Sequence, residues 1–181
     1  MAIKKYKPIT PGMRHRIGNT YSEITTSTPE KSLVTKRSSS GGRNNQGRMT
    51  MRYLGGGNKK QYRIIDFKRN NFGIEGEVKS IEYDPFRTAF ICLVYFTNGD
   101  KRYVIAPAGI KVGQKIVSGA GSSPDLGNTL PLSEVPLGSV IHNIELQPGR
   151  GAQMVRSAGA NAQLLSREGK YALLKLSSGE N

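Results

Sequence analysis

The sequence predicts a mainly β chain made of an extended basic arm followed by two small barrels. Three observations carry that expectation. Positive charge is concentrated at one end, short apolar runs separated by turn residues begin near Tyr62, and a second set of such runs follows a proline-rich connector.

Of 27 Lys and Arg residues in the 181-residue chain, 16 fall in residues 1–69, where the acids are only Glu23, Glu30 and Asp66. That segment therefore holds +13 of the total charge of +14. The remainder is balanced as ordinary domains are, so the charge belongs to an appendage and implies a polyanionic partner. No stretch approaches the ~20 consecutive apolar residues of a membrane span. The start, Met1-Ala2-Ile3-Lys4-Lys5-Tyr6, lacks the apolar core of a signal peptide, so a cytoplasmic protein with no membrane partner is expected. Cys92 is the single cysteine, which excludes an intrachain disulfide and a thiolate zinc cluster.

The arm is read as residues 1–60, largely irregular. Residues 31–60 are rich in Gly, Ser and Asn and lack alternating apolar positions, so they are expected to be unfolded in isolation. For an arbitrary protein a solvated linker would explain such a stretch equally well. Here Lys36, Arg37, Arg43, Arg48, Arg52, Lys59 and Lys60 are spaced singly or in pairs, which suits a strand following a phosphate track. Glycines 41, 42, 47 and 55–57 let backbone amides approach phosphates, and Arg forks onto them. Arg14 and Arg16 flank His15 and give the same chemistry earlier in the arm. Extended Arg-rich segments fill irregular RNA, whereas duplex DNA readers present a helix or ribbon that this sequence does not offer; RNA is expected and DNA is not.

An oligonucleotide-binding (OB-fold-like) barrel is expected over 61–125, with strands at 62–67, 74–83, 88–96, 101–106 and 115–118 and an SH3-like barrel as the close alternative. Asn98-Gly99 between two of these predicts a type I′ hairpin. A connector with three prolines leads to 126–181, expected to be an SH3-like barrel with strands at 139–146, 153–157, 160–166 and 170–176. Ser177-Ser178-Gly179-Glu180 is a good hairpin turn with no returning strand after it, so the polypeptide is expected to be truncated.

Catalysis finds little support. His15 and His142 have no neighbouring nucleophile with an orienting carboxylate, and His142, within a strand, fits a structural or RNA-contacting role. Cys92 lies in an apolar run and reads as a small buried hydrophobe. Gly55-Gly56-Gly57 lacks the spacing of a nucleotide phosphate loop. Glu75, Glu77, Glu82 and Asp84 read as a solvated barrel face. No enzyme, cofactor or metal is expected. Arg150 and Arg156 sit beside glycine turns in a nearly neutral segment and are candidates for a further RNA contact.

A closer resemblance rests on Gly41-Gly42-Arg43-Asn44-Asn45-Gln46-Gly47-Arg48-Met49-Thr50-Met51-Arg52, Gly55-Gly56-Gly57, and Tyr62-Arg63-Ile64-Ile65-Asp66-Phe67-Lys68-Arg69. Glu82-Tyr83-Asp84-Pro85, Gly127-Asn128-Thr129-Leu130-Pro131 and Arg156-Ser157-Ala158-Gly159 extend it. These resemble the amino-terminal two-thirds of the bacterial-type "L two" family of large-subunit ribosomal proteins. The resemblance implies binding to large-subunit ribosomal RNA near the peptidyl transferase region, contact with neighbouring ribosomal proteins and with small-subunit RNA at the interface, and roles in assembly and subunit association. RNA-contacting positions then include Asn44, Asn45, Tyr53, Arg63, Lys68 and Arg69 besides the cations already named. Tyr53 and Asn58 stand where the family often has histidine. The family's carboxy-terminal extension, with its histidine tied to peptide-bond formation, lies beyond the sequence, so no catalytic residue is expected within it. The alternative is a free single-strand RNA-binding translation factor, for which Phe90, Tyr95, Phe96 and Tyr103 would form an exposed stacking face.

Overall fold

A computed structural model describes residues 3–181; Met1 and Ala2, part of the amino-terminal stretch read against a signal peptide, lie outside the described residues. The chain is mainly β, with an extended basic amino-terminal arm, an OB-fold-like half-barrel sheet and an SH3-like unit. The described residues form eleven strands: β1 (Ile3–Lys5), β2 (Ile17–Asn19), β3 (Val34–Lys36), β4 (Gln61–Arg63), β5 (Gly76–Glu82), β6 (Ile91–Phe96), β7 (Lys101–Ile105), β8 (Lys115–Ile116), β9 (Val140–Ile141), β10 (Ala162–Glu168) and β11 (Tyr171–Leu176). None of the helices among the described residues is long and apolar enough to cross a membrane.

The central antiparallel sheet has the order β7-β6-β5-β8. Strand β6, Ile-Cys-Leu-Val-Tyr-Phe, shows no apolar–polar alternation because both of its faces are covered. Cys92, Val94 and Phe96 pack with Val78, Ile81, Val104 and Ile116 on one side. Ile91 and Leu93 pack with Ile65, Tyr103 and Ile105 on the other, where Leu33 from the arm and Phe67 close the layer. Each fully buried side chain of this size contributes about 1.5–3 kcal/mol relative to exposure. A bulge between Val78 and Ser80 keeps the pattern in phase: Lys79 is the extra, exposed residue, so Val78 and Ile81 enter the same core while Ser80 and Glu82 turn to the other.

That second layer contains a polar knot. Tyr103 Oη donates to Glu82 Oε2 at 2.8 Å and accepts the Glu30 N–H at 2.8 Å, while Ser80 Oγ donates to Glu82 Oε1 at 2.9 Å. Glu82 is 2% exposed, so these donors replace the water that a buried carboxylate requires. Glu82 and Asp84, read from sequence as parts of a solvated face, are instead buried, and Asp84 is held by the Arg87 guanidinium and the Phe86 N–H.

The arm does not hang free along its whole length. Thr25 exchanges hydrogen bonds with Ile81, its N–H donating to the Ile81 carbonyl and its hydroxyl accepting the Ile81 N–H. Strand β3, inside the stretch read as irregular, pairs antiparallel with β4 from Val34↔Arg63 to Lys36↔Gln61. Residues 37–60 form no strand beyond a local bridge between Arg43 and Met49.

Several expected strands are shorter in the structure, for local reasons. The 139–146 run stops at Ile141, because Asn143 adopts φ 53, and 153–157 is reduced to the Met154↔Ile144 bridge beside Val155 at φ 55. A β-branched residue at positive φ leaves the pleat, and its side-chain alternation with it. The 97–100 hairpin forms but not as type I′: Asn98 keeps a negative φ and only Gly99, φ 89, is left-handed. The Gly99 N–H donates to the Phe96 carbonyl and the Phe96 N–H donates to the Asp100 carbonyl, a type I turn closed by a glycine bulge. The turn at 176–180 repeats both bonds, with Gly179 at φ 94. In the second unit β11-β10-β9 form the sheet, over a smaller core of Val135, Ile144, Ala152, Ala162 and Leu164.

Candidate nucleic-acid interface

The glycine-rich motif of the arm folds back on itself. Asn44 is its brace: its Oδ1 accepts the N–H groups of Gln46 and Arg48, both at 3.0 Å, and its own N–H donates to the Arg48 carbonyl at 2.9 Å. The N–H groups of Thr50 and Met51 donate to the Gly42 carbonyl. Gly42, at φ 76, passes so close that a Cβ there would lie 2.2 Å from the Met51 carbonyl oxygen. A small loop therefore presents Arg43, Arg48 and Arg52 outward, all exposed, with Asn45 exposed beside them. Asn44, expected to touch RNA, instead has its acceptor oxygen engaged within the loop. Tyr53 is 93% exposed with the Arg52 guanidinium 5.5 Å from its ring centre.

The pairing of β3 with β4 gathers cations that are distant in sequence. Lys36 and Arg37 leave β3 beside Lys59 and Lys60, which enter β4. The Arg37 guanidinium and the Lys60 ammonium lie 5.7 and 5.8 Å from the Phe86 ring centre, and Phe86 is fixed edge-on by Tyr62. Nothing in the sequence singles out Phe86 as an anchor, because its role depends on a contact across more than twenty residues. Arg14, His15 and Arg16 are exposed at the turn linking β1 and β2, Arg16 lying 4.7 Å from the Tyr6 ring centre.

A second group forms where the two units meet. The Ala152 N–H donates to the Phe67 carbonyl, and Gly151 lies against Lys68. The Arg156 guanidinium stacks 4.9 Å from the Phe67 ring centre, so Lys68, Arg150 and Arg156 share one surface. Glu145 shapes this loop by accepting the N–H groups of Gly149 (2.9 Å) and Gly151 (2.7 Å). Two expected contacts point elsewhere. Arg63 is buried, with one guanidinium N–H on the Gln61 carbonyl. Arg69 donates to Ser118 Oγ and the Gly127 carbonyl, and burial holds its pKa below the usual guanidinium value despite nearby Asp66. Burial, with a smaller push from Arg69, also lowers the pKa of His142, so this imidazole favours its neutral form.

The electrostatic arrangement is the decisive feature. Of the acids in residues 1–69, Glu30 pairs with Lys101 at 3.1 Å and Asp66 with Arg102 at 2.9 Å, both cations on β7. Lys36, Arg37, Arg43, Arg48, Arg52, Lys59 and Lys60 enter no ion pair with any described residue. A chain that leaves so many adjacent cations uncompensated carries a self-repulsion that an external polyanion relieves. No cluster of metal-ligating side chains occurs among the described residues. The aromatic face considered for a free factor is not one: Phe96 and Tyr103 are buried and Phe90 and Tyr95 half-buried.

Comparison with known proteins agrees with this geometry. The family model described as "Ribosomal Proteins L2, RNA binding N-terminal domain" matches residues 30–118, and that of the L2 C-terminal domain matches 125–181. The chain belongs to the L2 family of ribosomal proteins. The large ribosomal subunit protein uL2 of Cytophaga hutchinsonii is 63% identical over 180 residues, covering 99% of this chain and 64% of the relative. The proteins of the same name from Parabacteroides distasonis and Bacteroides thetaiotaomicron are each 61% identical over 180 residues, covering 99% of this chain and 66% of the relative. This L2-family chain thus spans a little under two-thirds of the length of these curated relatives. The first family match begins at residue 30, where the Glu30 N–H meets Tyr103, five residues after the arm first touches the central sheet at Thr25.

Proposed function

We propose that this chain is a structural, non-enzymatic constituent of the large ribosomal subunit, cytoplasmic and bound to large-subunit ribosomal RNA. In this reading it supports subunit assembly, subunit association and the peptidyl transferase region, beside neighbouring ribosomal proteins and small-subunit RNA at the interface. The three-part division at residues 60 and 125 is part of the proposal, with the arm supplying affinity and the two units fixed docking surfaces. The observation that carries it is the uncompensated row of cations from Lys36 to Lys60, beside a sheet whose own cations are paired.

Arg14, His15, Arg16, Lys36, Arg37, Arg43, Asn45, Arg48, Arg52, Tyr53, Lys59, Lys60, Lys68, Arg150 and Arg156 are assigned to direct RNA contact. Asn44 braces the loop that presents Arg43 and Arg48, while Arg63 and Arg69, hydrogen-bonded to Gln61, Ser118 and Gly127, hold the fold beneath the surface. If about eight cations meet phosphates, affinity for a large-subunit ribosomal RNA fragment falls by roughly three orders of magnitude or more between ~50 and ~200 mM salt. Filter binding across that range measures the slope, and a nearly flat profile would overturn the assignment.

A further inference from the structure

A groove opens on the side of the molecule between the arm, the 83–88 loop and the second unit. Its walls are the rings of Tyr21, Tyr83, Phe86 and Phe90, with Arg87 at the edge and Ala158 at the far end. Tyr21 meets Tyr83 edge-on, ring centres 5.8 Å apart at 84°, and is tilted against Phe90 at 6.1 Å. Tyr21 is held there by an unusual backbone: its φ is 57, secured by its N–H donating to Asn19 Oδ1 at 3.0 Å and by the Ile24 N–H donating to its carbonyl. A non-glycine residue at positive φ costs about 1 kcal/mol or more, so the surroundings hold this ring in place against a backbone penalty.

The rings nevertheless do not complete a core. Tyr21 is 49% and Tyr83 48% exposed, and neither hydroxyl makes a hydrogen bond within the described protein. Two exposed tyrosines converging on two half-buried phenylalanines leave flat faces available to a flat partner.

The charge beside the groove selects that partner. Arg37 and Lys60 lie over the Phe86 ring at its rim, and neither has an acidic partner. Asp84, between the groove residues Tyr83 and Pro85, is buried and satisfied by Arg87, and Glu23, two residues beyond Tyr21, is exposed. Aromatic faces flanked by unpaired cations suit a base with its phosphate; a protein segment able to satisfy the same cations would have to be acidic as well as aromatic.

We propose that this groove receives one unpaired base of the bound RNA, stacked on Tyr83 or Tyr21, with its phosphate at Arg37 and Lys60. The proposal rests on the RNA-binding reading above and adds a single-nucleotide subsite to it. Of these four rings only Phe90 was named from sequence as a stacking ring, in a face with Tyr95, Phe96 and Tyr103 that the fold does not form.

The test compares the full chain with Tyr83→Phe, Tyr83→Leu and Tyr21→Leu by filter binding to purified large-subunit ribosomal RNA at several salt concentrations, with thermal melts of each variant. Tyr83→Phe keeps a flat ring and retains affinity. The leucine variants keep apolar bulk without a ring face and lose about tenfold, because one stacked base contributes roughly that much, and their salt slope stays unchanged because no phosphate contact is removed. Ultraviolet crosslinking of the wild-type complex, read by mass spectrometry, places a nucleotide adduct on the peptide containing Tyr83 or Tyr21. Salt-dependent binding by all variants equal to wild type, with adducts only elsewhere, overturns the subsite and leaves the RNA-binding reading standing. A wild-type chain without salt-dependent RNA binding overturns both. Leucine variants that bind RNA normally but fail to retain a ribosomal protein assign the groove to a protein partner and likewise overturn it.

Discussion

Single residues set the limits of the interface. Gly42 tolerates no side chain: at φ 76 an added Cβ would meet the Met51 carbonyl at 2.2 Å, and the partner atom is backbone, which cannot swing aside. Gly42→Ala is expected to open the 42–51 loop at a cost of about 1–3 kcal/mol. Hydrogen exchange should show it as lost protection at the Thr50 and Met51 amides, with the central sheet unchanged; retained protection there would contradict the account. Cys92 gives a pH signature. Burial pushes its thiol from 9.0 up to about 12, with Arg69 pulling weakly the other way. The folded state therefore holds a proton that the unfolded chain releases above about pH 9. Its contribution is fully present below that pH and is lost as pH rises toward about 12, at roughly 1.4 kcal/mol per pH unit. Denaturant midpoints measured across pH 9–11 should fall, and Cys92→Ala should flatten that part of the decline attributable to the thiol.

At the level of elements, legibility followed the range of the forces involved. The apolar runs of β5, β6, β7, β10 and β11 were visible because burial of a strand depends on its own composition. The hairpin at 97–100 was visible because glycine at φ 89 is a local requirement, although its turn type was not, since Asn98 has no need to leave negative φ when Gly99 supplies the bulge. What sequence could not show was pairing across long separations. Strand β3 joins β4 because residues on either side of the glycine-rich loop meet again, and the Lys36, Arg37, Lys59, Lys60 group exists only through that closure. Arg63 and Arg69 looked identical in type to the surface cations, and only three-dimensional placement separates them. The 147–151 loop offers a test at this scale. The Glu145 carboxylate accepts two backbone N–H groups there, and Glu145→Gln replaces one acceptor oxygen by an NH2 that cannot accept. Amide exchange at Gly149 or Gly151 should accelerate while the melting temperature moves by no more than a few degrees, because residues 147–150 are exposed and the substitution removes at most one of the two hydrogen bonds.

Taken as a whole, the molecule is graded from a rigid centre to an open edge. The sheet around β6 is buried on both faces and locked by the Glu82–Tyr103 knot, and the arm is tied to it at Thr25, Glu30 and β3. Between β3 and β4 no core residue anchors the chain, and residues 51–61 are exposed without exception. Opening free energies should follow the same gradient, near zero in the loop and approaching the global value in the sheet. Limited trypsin digestion of the nucleic-acid-free protein is therefore expected to cut first at Arg52, Lys59 and Lys60, then at Arg43 and Arg48, well before Arg102 or Lys79. Residues 25–36 should stay associated with the core after those cuts, because their contacts to Ile81, Tyr103 and β4 do not depend on the loop being continuous. Addition of large-subunit ribosomal RNA should protect the loop sites and leave the slow sites unaffected, since phosphates would order the first and have no access to the second. Equal protection of the loop with and without RNA would mean that its cations are held by the protein itself, and the polyanion that the whole charge distribution calls for would lose its role.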